Sequence, residues 1–319
     1  MAGKILLKSV ILMSVGMISL AGAAAAATFE SNSISFRNIT GAVEIVTTSG
    51  DEIDLAIRQG MTYRQVKVFE KGGVVVIEGE AWRDDEHENC CDSRISRQVD
   101  LRKNRKMTTG KPVDEDLFRQ FPTYVVSMPF DGDVEFIDAR IKLEMDRLNG
   151  ALSLDACYVY GETGDLDQAI VNVVDGSRLV MGNIAAGLEL DLSGDADVMA
   201  GNAAMVDIDI AGPGDVILGA VDGMMDVSIA GSGLVRATHI DGPVTARIAG
   251  SGGLYIKAGV ADRLRATIDG SGGVFIDGAV SQPDLRLSGS AEIRMQSVTG
   301  RITRHGGGAV YVDGVLIEQ

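Results

Sequence analysis

The sequence predicts an all-β fold, a parallel β-solenoid (β-helix) with coils of about 19 residues, and three observations carry that expectation. Comparable glycines recur at Gly194, Gly212, Gly231, Gly250, Gly270, Gly289 and Gly306, in steps of 18, 19, 19, 20, 19 and 17. Apolar residues keep fixed offsets from them. Leu192, Ile210, Ile229, Ile248, Ile268 and Leu287 lie two places before the glycines, and Leu190, Ile208, Val227, Ala246, Ala266, Leu285 and Ile302 lie four places before. Within each segment apolar residues alternate with others at a period of two, the period of a strand. A strand pattern that returns once per coil stacks equivalent strands, because no coil buries its apolar face without its neighbours.

The elements follow in chain order. Residues 1–27 read as an export signal: Lys4 and Lys8 make a basic start, an apolar run extends to about Leu20, and the small residues "AGAAAAA" offer cleavage before Thr28. The expected mature protein is exported, to the periplasm or cell surface, with no stable membrane insertion after cleavage. Residues 28–82 form an N-terminal β region or cap, with strands in "AVEIVTTSG", "IDLAIRQG", "RQVKVFEKG" and "GVVVIEGEAW" bounded by glycine turns. Residues 83–120 form a charged insertion, acidic in "DDEHENCCD" and basic in "RISRQVDLRKNRKMTTGK". The solenoid proper occupies 121–319.

Each solenoid coil has at least two sides. The first carries the columns before the glycines, which extend backward through Val173, Leu154 and Phe136 and through Val171, Leu152 and Val134. The second carries pairs such as Val198 with Ala200, Val235 with Ala237, and Val310 with Val312. A thinner third column runs Ile184, Ala203, Val221, Ile240, Val260, Val280 and Val298. About nine or ten coils at the usual strand spacing make a rod of roughly 40 to 45 Å. The glycines belong where the chain bends sharply and coils pass closely, since glycine alone tolerates positive φ freely.

Composition narrows the function classes. With 45% apolar residues, 40 Gly and 6 Pro among 319 residues, the chain is globular and supports an extended core. Its net charge of -16 becomes -18 once Lys4 and Lys8 leave with the signal, which argues against generic binding to nucleic acid or anionic lipid. The three cysteines are Cys90, Cys91 and Cys157. An oxidising compartment allows one disulfide, expected between Cys157 and one of the adjacent pair, with one thiol left over. His87 beside Cys90 and Cys91 lacks an evident fourth ligand, so neither a metal nor any other cofactor is expected.

The export signal, "F..I" at Phe36 to Ile39 before "AVEIVTTSG", then "GGVVVIEG", "VVSMP" and the "IAGSG" and "IDGSG" coils resemble the auto-transporter adhesin head GIN domain family. The resemblance covers Ile34 to Trp82 and about Thr123 to Gly314. It implies a right-handed solenoid of β-strands, an envelope location and an adhesin-like role. It brings no catalytic residues.

Three function classes remain: a surface interaction protein, a polysaccharide-active enzyme and a purely structural scaffold. β-Helices also host polysaccharide lyases and hydrolases, and Glu189, Asp191, Asp207 and Asp209 occupy outward positions of adjacent coils, as a glycosidase pair or calcium site would require. Outward positions of a half-exposed strand are polar in any case, and the isolated His87, His239 and His305 form no nucleophile triad. The expectation is therefore a non-catalytic protein. The better candidate is a contact surface: outward positions on the second side read Val180, Met199, Ile217, Arg236, Tyr255, Phe275, Arg294 and Tyr311, apolar, aromatic or Arg where solvated residues belong. An envelope glycan or protein is the expected partner. On the first side, outward charge passes from these acids through Asp226 and Ser228 to Arg247, Arg265, Arg286 and Arg301. The chain ends at "AVYVDGVLIEQ" without an evident polar cap, which points to self-association through the solenoid end.

Overall fold

The computed structural model describes residues 18–19, 24–61, 64–79, 118–174 and 176–318. These form a parallel β-solenoid of about 9 turns, with no helix among the described residues. On the first side, strands Ile184–Ser193, Ala203–Gly212, Met225–Gly231, Val244–Gly250, Leu264–Gly270 and Pro283–Gly289 pair in parallel, each with the next. On the second side the same holds for Asp197–Ala200, Asp215–Val221, Leu234–Asp241, Gly253–Ile256, Gly273–Val280, Glu292–Val298 and Ala309–Val312. Alternation puts the expected columns inside: Ile208, Val227, Ala246, Ala266 and Leu285 are fully buried. At the corner between the sides Gly212, Gly231, Gly250 and Gly270 have φ of 139°, 141°, 128° and 130°.

The other corner is held by a side-chain ladder. Asn183 N donates to Asp165 Oδ1 at 2.7 Å, Asn202 N to Asn183 Oδ1 at 2.9 Å, and Ala220 N to Asn202 Oδ1 at 2.8 Å. Each amide or carboxylate thus satisfies a backbone donor of the next coil that the turn leaves without a strand partner.

The N-terminal strands join the same stack, out of chain order. Ser33–Arg37 lies between Val74–Gly79 and the start of Asp133–Met145, and Thr40–Thr48 lies between Thr123–Pro129 and the end of that strand, all in parallel. The first coil is therefore second in the pile. Antiparallel strands Val66–Lys71 and Ile53–Arg58 cover the outer edges of Val74–Gly79 and Thr123–Pro129, and Ala24–Phe29 adds to Ile53–Arg58. Four residues of that last strand precede the expected cleavage at Thr28. Phe36 stacks on Phe136 at 4.8 Å with Tyr124 edge-on at 6.0 Å, and all three are buried in the core.

Most of the insertion, and with it His87, Cys90 and Cys91, lies outside the described residues. Its return is visible: Phe118 is buried and stacks with Tyr158 at 6.2 Å. The neighbouring Cys157 is disulfide-bonded.

Three expectations are corrected. Val260 does not continue the third column: it is 41% exposed, and Ala261 takes the inward place opposite Val280. The coil from Gly250 to Gly270 is the longest, and one extra residue reverses which side chain faces in. In the last coil Thr303 pairs with Asp284 and Gly306 with Leu287, so Gly306 is not equivalent to Gly289 and Arg301 falls outside the charged columns. The same slip moves Ile302 off the Leu285 position and gives that position to Arg304. Arg304 supplies the polar cap that the sequence did not reveal: Nη1 donates to Ile317 O at 2.9 Å and Nη2 to Gly308 O at 2.7 Å. The chain then turns at Asp313 and Gly314, both with positive φ (49° and 72°) as in a two-residue hairpin, and Val315–Leu316 pairs antiparallel with the last second-side strand.

Candidate functional site

Each second-side strand offers two outward positions, and parallel pairing stacks them into columns. The structure brings every expected contact residue together in one column with no missing rung: Val180, Met199, Ile217, Arg236, Tyr255, Phe275, Arg294 and Tyr311 are successive Cα partners. Toward the N-terminus the column continues through Glu162, Glu144 and Glu44. Ile217 is 43% exposed and Tyr255 40%.

The rings form an ordered pile. Tyr255 and Phe275 stack with centroids 4.7 Å apart, the spacing of the strands that carry them. The Arg236 guanidinium caps Tyr255 at 5.9 Å, and Arg294 lies between Phe275 at 5.8 Å and Tyr311 at 5.3 Å. Both faces of Tyr255 and Phe275 are thus covered by neighbouring rungs, and the pile presents ring edges and guanidinium groups outward. The rings lean over Gly253 and Gly273, where an added Cβ would come within 2.9 Å of Tyr255 and 2.5 Å of Phe275. The arginines are held laterally as well: Arg236 Nη1 donates to Asp215 Oδ2 at 3.3 Å, and Arg294 Nε donates to Glu292. The sequence showed the column because its members share one offset from the glycines; the glycine seats and the lateral acids lie in the flanking column, which that offset does not single out.

The first-side acids also stack. Glu189, Asp207 and Asp226 are successive partners, and Asp191 pairs with Asp209. They form columns on the outer surface of one sheet rather than facing each other across a groove. Arg247 donates to Asp226 Oδ1 at 2.6 Å. Burial first, then Asp226 and Asp209, push the Asp207 carboxyl above its ordinary value, while Arg247 opposes them. No group of three or more metal-ligating side chains occurs among the described residues.

A raised carboxyl pKa in the fold means that the folded chain holds the proton more tightly than the unfolded one, so stability falls as pH rises through that window. Asp207→Asn is expected to raise the thermal midpoint at neutral pH, with the gain vanishing below the carboxylate range. A midpoint that drops at neutral pH would show that the carboxylate is instead held favourably.

No family model matches the chain, and no curated protein matches it. Among solved structures the chain is similar to a candidate adhesin from Parabacteroides distasonis, over 94% of this chain and 96% of that one, at 12% identity and a TM-score of 0.35. A candidate adhesin from Parabacteroides merdae matches over 92% and 95%, at 13% identity and a TM-score of 0.34. A candidate lipid-binding protein from Parabacteroides distasonis matches over 91% and 97%, at 12% identity and a TM-score of 0.30. No helix among the described residues is long and apolar enough to cross a membrane.

Proposed function

We propose that the chain is an exported, non-catalytic envelope or surface interaction protein, adhesin-like in role, that engages its partner through the outward face of the second side. One observation carries the reading: the column from Val180 to Tyr311 is unbroken and apolar, aromatic or Arg on a solvent-facing sheet. Pre-ordered Tyr and Arg side chains are the residue types that dominate protein contacts. The covered ring faces favour a protein over a glycan, since a sugar ring stacks on a free aromatic face and the pile offers edges. The rival, a polysaccharide-active enzyme, requires facing carboxylates. The acids here stack in columns on one surface.

The test is retention of purified protein from Thr28 onward on isolated envelope protein and on envelope polysaccharide and peptidoglycan, with products followed by mass spectrometry. Binding to the protein fraction should fall at least about tenfold, the ratio for about 1.4 kcal/mol, when Tyr255, Phe275 and Tyr311 are replaced by Ser. Binding unchanged in that triple variant sinks the proposed face, and new sugar fragments overturn the non-catalytic reading.

A further inference from the structure

The geometry points to a second copy of this chain as an occupant of the second side, packed face to face with its solenoid axis antiparallel. The inference rests on the reading of this side as a contact surface and names its partner. It starts from the charge pattern along the two outward columns. In the main column Glu162 precedes the aliphatic trio Val180, Met199 and Ile217, and Arg236 follows it. In the flanking column Arg178, Asp197 and Asp215 are successive partners beside that trio.

A two-fold axis along the strand direction through Met199 reverses the order of rungs and keeps each column opposite itself. Val180 then meets Ile217 of the second copy, and the apolar centre closes on itself. Glu162 meets Arg236 of the second copy, and Arg178 meets its Asp215. Within one copy Arg236 and Asp215 are already paired at 3.3 Å. Glu162 and Arg178 are exposed and enter no ion pair among the described residues. The assembly therefore adds one unpaired acid and one unpaired base to each existing pair, giving two networks of four alternating charges around an aliphatic centre. Asp197 meets its own counterpart at the axis, with an Arg178 one rung away on either side. Packing with parallel axes would instead set Glu162 on Glu162 and Arg236 on Arg236, so charge selects the antiparallel arrangement.

The size of the face sets the strength. About nine rungs, from Glu44 to Phe275, face their counterparts about Met199; at roughly 4.8 Å each, by four residues at about 3.3 Å, they give roughly 570 Å² per copy and about 1,150 Å² in total, in the range of weak, reversible contacts. The expected dimer is reversible and weakened by salt, because its charge networks lie at the rim of the aliphatic centre.

Sedimentation equilibrium of the protein from Thr28 onward, from about 1 μM to about 200 μM, a range that spans weak dimer affinities, tests the inference. The expected result is a monomer–dimer equilibrium weakened at least about tenfold by Glu162→Arg or by Arg236→Glu, each of which sets like charges opposite one another, and recovered in the double variant. All these side chains are exposed, and circular dichroism of each variant verifies its fold. A monomer throughout the range, single variants with the parental constant, or a double variant no tighter than the singles overturns the inference. The aromatic triple variant separates the two readings: a monomeric parent whose envelope binding is lost in that variant removes the second copy as partner and leaves the contact face standing.

Discussion

Gly270→Ala will destabilise the solenoid by about 3 kcal/mol or more, combining a backbone conformation that L side chains rarely adopt with a clash that cannot relax. Gly270 has φ of 130°, and an added Cβ would lie 2.4 Å from the Gly250 carbonyl oxygen of the preceding coil. That oxygen cannot retreat freely, because it accepts from Ser271 N at 2.9 Å and Gly272 N at 3.0 Å. Gly289 repeats the arrangement one coil on, with its Cβ position 2.4 Å from the Gly270 carbonyl oxygen, so a displaced corner disturbs the next. Gly307→Ala is the matched control: an added Cβ there meets nothing within 4 Å and the backbone is not in the positive-φ region. Thermal and urea unfolding followed by circular dichroism should separate the two variants clearly. Equal midpoints would refute the steric account of the glycine column.

Cys157→Ser should cost about 4 kcal/mol, the chain-entropy value for a loop of this length. The bonded Cys157 has only Cys90 and Cys91 as partners within the chain, so the closed loop spans 157 minus 91 or 90, that is 66 or 67 residues. Phe118, where the chain returns from the insertion, docks on Tyr158 next to Cys157. Urea unfolding with and without reductant measures the effect: the parent should lose the stability under reductant, and the Ser variant should not respond. Thiol titration of the unfolded parent should find one free thiol per chain. A variant as stable as the parent would mean that the Phe118 contact alone holds the insertion.

The sequence disclosed the solenoid because its signal is repeated. An apolar residue two places before each glycine from Gly194 to Gly289 is buried in the structure, and a pattern seen six times needs no single decisive residue. The contact column was legible for the same reason: Tyr255, Phe275 and Tyr311 share an offset, and a constant offset in stacked coils means adjacency. What they do to one another was not legible. That the rings pile face to face with Arg236 and Arg294 as caps depends on rotamers directed by Gly253 and Gly273, which read along the chain only as turn residues. The end cap escaped because Arg304 looks like one more surface charge until the slip in the last coil places it at an inward position.

By itself the sequence determined the fold class, the coil length, the buried columns and the outward face, all of which follow from a period of two within strands and a period of about 19 between them. The tertiary structure decided what neither period encodes. It slid the coil of Ser33–Arg37 and Thr40–Thr48 between strands that come later in the chain, joining residues 100 positions apart such as Ser33 and Asp133. It turned Val260 outward and Arg304 inward. The two reversals share one reason: the register of a strand is set by the strand stacked against it, and a single added or missing residue exchanges the inner and outer faces.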